Sequence, residues 1–152
     1  MGFIKRKKTV ASKFKVLQKR ILELNLSIAK IREALGRIES RQLQAQKNHN
    51  LHSYEFRVYS QWGEDGIIQL LTNRIEMNQK IFVEFGVSNY RESNTRFLLI
   101  NDNWAGLVID SNEKRINYIK SDPIYWQYNL KAVCSFITKE NINALIRENG
   151  IQ

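Results

Sequence analysis

Apolar side chains recur along the first third of the chain at alternating spacings of four and three. They are Val10, Phe14, Leu17, Ile21, Leu24, Ile28, Ile31, Leu35 and Ile38, with Gln42 and Ala45 continuing the register. This is the period of a coiled-coil seam, so the pattern predicts one long helix carrying a single apolar stripe. At about 1.5 Å per residue the stripe spans on the order of 50 Å, too long for a small domain to cover. Self-association through residues 10–45 is therefore the expectation, in preference to packing on the chain's own domain. Ile21 and Ile28 at a positions with Leu17 and Leu24 at d favour two strands, whereas Ile31, Leu35 and Ile38 invert that order and favour more. The pattern leaves dimer and higher oligomer open. Gly36 falls outside the seam and weakens the helix by roughly 1 kcal/mol relative to Ala.

The period changes after residues 49–53, a linker that separates a helical arm, 1–48, from a sheet-like segment beginning at Tyr54. Ile81 to Val83 is a short apolar run closed by Glu84, and Leu107 to Ile109 is another closed by Asp110. Such continuous runs suit buried parallel strands, with Leu130 to Ile137 as a third. Helices are predicted over Glu64 to Ile75, Thr95 to Asn101, Glu113 to Lys120, and Lys139 to Glu148 with Thr138 as its cap. Pro123 breaks the chain before an aromatic patch of Tyr125, Trp126 and Tyr128. The fold class is α/β, with about three parallel strands and their helices.

In an open parallel sheet the ligand crevice lies at the carboxyl ends of the strands, which brings Glu84, Gly86 and Asp110 together. A carboxylate about 20 residues beyond a glycine turn is suited to accept hydrogen bonds from ribose hydroxyls, and Asp110 holds that place. The dinucleotide fingerprint would need glycine at three positions that read Gly86, Ser88 and Arg91, so close approach to a pyrophosphate is not expected. A cofactor without phosphates needs only a loop near its amino-acid moiety, a carboxylate for its ammonium and another for its ribose. Glu84 and Asp110 can fill the two acidic roles.

Plainer readings stand beside these. Glu84 and Asp110 could cap the helices that follow them. Glu92 and Arg96, four apart, read as an exposed helical ion pair, with Asn94 and Arg96 as alternative braces behind the loop. Ser60 to Asp65 reads as a helix entry with acidic first-turn residues, and Trp62 as a packing residue. Cys134 within the third apolar run reads as a buried structural thiol. No Ser/His or Cys/His pairing or metal-ligand spacing is visible.

Charge is unevenly divided. Residues 1–50 hold 13 Lys and Arg against 3 Glu, and residues 51–152 hold 11 against 12, so the net +9 belongs entirely to the arm. The basic residues could form a solvated face of a coiled coil, or hold the arm to an anionic membrane surface. Nucleic acid, met through phosphates alone, is the weakest of the three expectations. Arg6 stands where a myristoylation signal wants Ser or Thr, and no apolar run approaches bilayer-spanning length. With a single Cys there is no internal disulfide, and a cytoplasmic protein, peripheral at the membrane at most, is the expectation.

Four segments in order carry a resemblance: Tyr59 to Ile68 (YSQWGEDGII), Val83 to Val87 (VEFGV), Glu92 to Arg96 (ESNTR) and Trp104 to Asp110 (WAGLVID). Together, over residues 54 to about 150, they resemble the FkbM-like class of S-adenosylmethionine-dependent methyltransferases. The resemblance implies a partial Rossmann-like methyltransferase sheet over 54–152, S-adenosylmethionine as cofactor, and Glu84, Gly86, Val87, Ser88, Asp110 and Ser111 in its pocket. It further implies O-methyl transfer to a glycan or small metabolite, with no residue assignable as catalytic. In methyltransferases generally the loop after the first strand carries two or three glycines, whereas here Ser88 and Tyr90 stand where small residues are often found. The segment has room for three β-α units where the family has more strands, so a truncated domain, or one completed by a partner, is expected. The alternative function is a non-catalytic coiled-coil scaffold or membrane-surface adaptor with a degenerate Rossmann-like domain.

Overall fold

A computed structural model describes residues 2–47 and 50–151, so His49 of the predicted linker lies outside the described residues. The chain forms two compact units, Met1–Leu35 and Gly36–Gln152. The described residues of the first are helical, as part of α1 (Gly2–Gln44). No proline interrupts the first 122 residues. The large apolar residues of the α1 stripe are 49–66% exposed from Val10 to Ile38.

The second unit begins at Gly36, earlier than the Tyr54 boundary read from composition. The reason is close packing of the last turns of α1. A Cβ on Gly36 would collide with the Val58 side chain, and Ser40 is buried with its hydroxyl donating to Gln69 Oε1 at 2.7 Å. Gly36 thus serves as a close-approach position that outweighs its helix penalty. The predicted linker carries a 3₁₀ turn over Leu51–Tyr54, held where Asn50 Oδ1 accepts the His52 N–H.

The unit is α/β: α2 (Glu64–Arg74), β1 (Ile81–Phe85), α3 (Arg96–Asp102), β2 (Ala105–Asp110), α4 (Glu113–Ser121), α5 (Ile124–Gln127), β3 (Leu130–Cys134) and α6 (Ile142–Glu148). The strands form one parallel sheet in the order β1-β2-β3, the layout of a partial Rossmann-like sheet. Phe82, Gly106 and Leu130 lie in register across it. The Phe82 ring occupies the space a Cβ on Gly106 would need, so a large and a small residue interlock. β2 is buried from Gly106 to Asp110 on both faces, as a central parallel strand requires. Its Val108 packs with Leu99, Trp104, Ile116 and Ile119 in the main core, while Phe56, Val58 and Phe97 form a second cluster.

Two predicted boundaries near the C-terminal end each move by three residues. β3 stops at Cys134 instead of Ile137 because its ladder partner, Asp110, is the last residue of β2. α6 starts at Ile142 instead of Lys139, since Asn141 accepts the Thr138 N–H and donates to Phe136 O, holding a turn ahead of the helix. Pro123 opens the short helix α5 as well as interrupting the chain.

Two outcomes follow from this packing. A Cβ on Gly66 would collide with the Tyr54 carbonyl oxygen and sit 2.6 Å from Phe56 N. Both are backbone atoms, so Gly66→Ala should lower urea stability by about 3 kcal/mol or more. The second concerns pH. Ser40, Gln69 and Asp102 form a hydrogen-bonded chain from α1 through α2 to α3. Burial raises the Asp102 carboxyl above its ordinary value, only partly offset by hydrogen bonds from Gln69 and Asn101 and by the charge of Lys80. A raised folded value means that the folded state holds the proton longer. Its stabilising contribution is therefore full below the ordinary carboxylate value and lost as pH rises through the raised one. Urea midpoints measured from about pH 3.5 to about pH 6 should show Asp102→Asn gaining stability relative to the parent chain as pH rises.

Candidate functional site

The carboxyl ends of the strands are bridged by the β1–α3 loop, which adopts an unusual backbone. Gly86, Ser88 and Tyr90 have φ of 70°, 53° and 59°, all in the left-handed region that favours glycine. Each non-glycine residue there costs roughly 1–2 kcal/mol, so the surrounding structure must enforce it. Two backbone ties do so from the sheet: Gly86 N–H donates to Ile109 O and Ser88 N–H to Asp110 Oδ2, both at 2.9 Å. Tyr90 N–H donates to Val87 O at 2.8 Å, and Val87 itself is buried in the core. The Tyr90 side chain is fully buried with its hydroxyl 3.1 Å from Thr95 Oγ1, and burial, with the nearby Glu84 charge, pushes its phenol well above the usual range. Arg96 Nη1 donates to Tyr90 O at 2.8 Å, while its guanidinium lies 5.7 Å from the Tyr90 ring centroid and 5.1 Å from that of Tyr59. Thus a loop poor in glycine takes a glycine-like path because Tyr90 and Arg96 lock it. At Gly86 there is open space: no heavy atom outside Phe85 to Val87 lies within 4 Å of where a Cβ would stand.

Glu84 is placed differently from the ammonium partner proposed for it. Its Oε1 accepts the Asn94 N–H at 3.1 Å; its Oε2 accepts the Thr95 N–H at 3.1 Å and the hydroxyls of Ser93 and Thr95. Both oxygens are engaged by the segment leading into α3, which favours the capping reading. Glu92 precedes α3 and does not pair with Arg96 along it. It accepts from Gln61 Nε2 at 2.7 Å and lies 3.7 Å from Arg57 Nη2. Arg96 instead braces the loop.

Asp110 is 4% exposed. Its Oδ1 accepts the Asn112 N–H at 2.9 Å, and its Oδ2, besides Ser88 N–H, lies 3.6 Å from Arg115 Nη1. Asn112 in turn caps α4 through Lys114 N–H and Arg115 N–H. Asp110 therefore fastens the β1–α3 loop to the turn after β2, with Oδ1 keeping acceptor capacity to spare. Ser111 is exposed beside it, and its carbonyl lies 3.6 Å from Cys134 Sγ. Cys134 is exposed, contrary to the buried thiol expected, because the strand ends there.

Trp62 is also corrected: it is 80% exposed and packs no core. The residue of that segment that sequence reading undervalued is Asp65. It is buried, and its Oδ2 accepts the N–H groups of Val58 (2.7 Å), Tyr59 (2.8 Å) and Ser60 (2.8 Å) and the Ser60 hydroxyl (2.9 Å). Ser60 Oγ accepts the Asp65 N–H at 3.1 Å. The signal was a Ser followed five residues later by an acidic residue just inside a helix. Helix entry itself runs through Gly63, left-handed at φ 100°. Tyr59 then connects to the loop, its carbonyl accepting the Ser93 N–H at 3.1 Å. The segments around Tyr59, Glu84, Ser93 and Asp110 are therefore one hydrogen-bonded assembly. Among the described residues no three His, Cys, Asp or Glu side chains cluster as metal ligands.

Removing the Asp65 carboxylate strands three backbone donors and a hydroxyl, each worth about 1–3 kcal/mol when buried and unpaired. Asp65→Ala should cost about 4 kcal/mol or more in urea unfolding. Asp65→Asn, whose amide oxygen can still accept, should cost less than half as much. Comparison with known proteins finds no matching family model, no matching curated protein and no matching solved structure.

Proposed function

We propose that the α/β unit binds S-adenosylmethionine at the carboxyl ends of β1 and β2, as the cofactor half of a methyltransferase acting on a hydroxyl of a glycan or small metabolite. The observation that carries this reading is the loop Gly86 to Tyr90. Its three left-handed residues and the open space at Gly86 leave backbone accessible for a ligand where an ordinary turn would place side chains. Backbone strain of this kind concentrates at ligand-binding loops. Asp110 suits the ribose hydroxyls through the free capacity of Oδ1, with Ser88 and Ser111 beside it. Glu84 acts by holding the loop, its Oε2 accepting the Thr95 N–H and the hydroxyls of Ser93 and Thr95. The cofactor supplies an electrophilic methyl group; the chain's part is to seat and orient it.

That same engagement of Glu84 favours a second reading, in which the domain only packs and the chain is a coiled-coil scaffold. Calorimetry of the full chain with S-adenosylmethionine and S-adenosylhomocysteine separates the two. Saturable heat is expected from the parent chain. Gly86→Ala should weaken binding at least tenfold, because its methyl enters the open space, while lowering stability by only about 1–2 kcal/mol for the left-handed backbone. A folded parent chain that gives no heat with either compound would leave the scaffold reading.

A further inference from the structure

The stripe on α1 fits one particular partner. We propose that it pairs with a second copy of this chain as a parallel, in-register, two-stranded coiled coil. The seam residues from Val10 to Ile38 are about half exposed or more, a contiguous apolar surface that a soluble chain does not leave bare without a partner.

Which face the protein itself uses is informative. With Ile21 and Ile28 at a, the residues that α1 buries in the second unit, Gly36, Ser40 and half-buried Leu43, fall at b, f and b. These are outer positions, away from the seam. Along the same turns the seam residues Leu35 and Ile38 stay 56% and 50% exposed. The last turns of α1 therefore pack within the second unit through b and f positions and not through a and d.

The sequence of the seam selects orientation. Parallel pairing sets each apolar layer against its own copy. Across the flanks it places Lys13 beside Gln18, Arg20 beside Asn25, Ser27 beside Arg32 and Ala34 beside Glu39, with no like charges opposed. An antiparallel alignment that matches a to d layers either gives up the Ile38 layer, which would face Lys7, or sets Val10 against Gln42 with Lys13 near Arg41, whereas the parallel pair keeps every apolar layer from Val10 to Ile38, with its Lys7 pair beyond the first of them. Both are worse. Strand number follows from the flanks too. Lys13, Arg20, Asn25 and Arg32 border the seam, and bundles of three or four strands bury those positions more deeply than a pair does, at the cost of desolvating charge. The β-branched a and leucine d residues from Leu17 to Ile28 agree with two strands, and the charged flanks decide against the higher order that Ile31, Leu35 and Ile38 would favour.

Sedimentation equilibrium of the full chain should give twice the monomer mass. Ile21→Lys with Ile28→Lys should halve that mass. All three tryptophans, Trp62, Trp104 and Trp126, lie in the second unit, so an unchanged tryptophan circular dichroism signal shows that this unit stays folded. For orientation, Phe14→Cys in a Cys134→Ser background should oxidise to a covalent dimer. Several results overturn the proposal: a monomeric or higher-order parent chain, a monomer that instead floats with anionic vesicles, a double-lysine variant that remains dimeric, or cross-linking that occurs only when Phe14→Cys chains are mixed with Ile31→Cys or Ile38→Cys chains.

Discussion

One buried oxygen organises the α/β unit. Asp65 Oδ2 draws the successive N–H groups of Val58, Tyr59 and Ser60 to a single point at the start of α2, curling that segment around a negative charge. The curl fixes Tyr59. Its carbonyl receives the Ser93 N–H, and its ring holds one face of Arg96. Arg96 then grips the Tyr90 carbonyl, and Ser93 with Thr95 engages Glu84 at the end of β1. Strand end, loop and helix entry thus depend on a residue that lies outside all of them in sequence.

Such a chain of contacts is needed because the loop is strained. Two non-glycine residues in left-handed conformation cost on the order of 2–4 kcal/mol together, a large share of the stability of an ordinary domain. A turn with no ligand to serve could be built more cheaply with glycines. Here full burial of Tyr90, its hydroxyl contact with Thr95, the Arg96 hydrogen bond and the Ser88 to Asp110 tie offset the strain. The result is a rigid rim beside open space at Gly86. Preorganisation of this sort is what a small-molecule site gains from a scaffold.

Local periodicity carried much of the architecture in legible form. The 4-3 spacing from Val10 to Ile38 and the apolar runs closed by Glu84 and Asp110 depend only on neighbours in sequence, and α1, β1 and β2 follow them. What stayed hidden is tertiary. The role of Gly36 depends on Val58, more than twenty residues away, and the hold on Glu84 depends on hydroxyls of Ser93 and Thr95 that are free to point elsewhere in a helix cap. Trp62 looked like core by its chemistry, yet the three N–H groups gathered at Asp65 turn that segment so that the indole faces solvent. The lack of glycine at Ser88 and Tyr90 hid a conformation that glycine would have announced.

The central claim is that this loop and the end of β2 form the face that receives the cofactor. Backbone amide shifts of the isotopically labelled chain, followed by nuclear magnetic resonance during titration with S-adenosylmethionine, test it most directly. The account predicts saturable changes concentrated at Gly86 to Tyr90 and at Asp110 to Asn112, with Lys131 and Asn149 at the opposite ends of the strands unaffected. Changes confined to those opposite ends, or none anywhere at saturating cofactor, would contradict it.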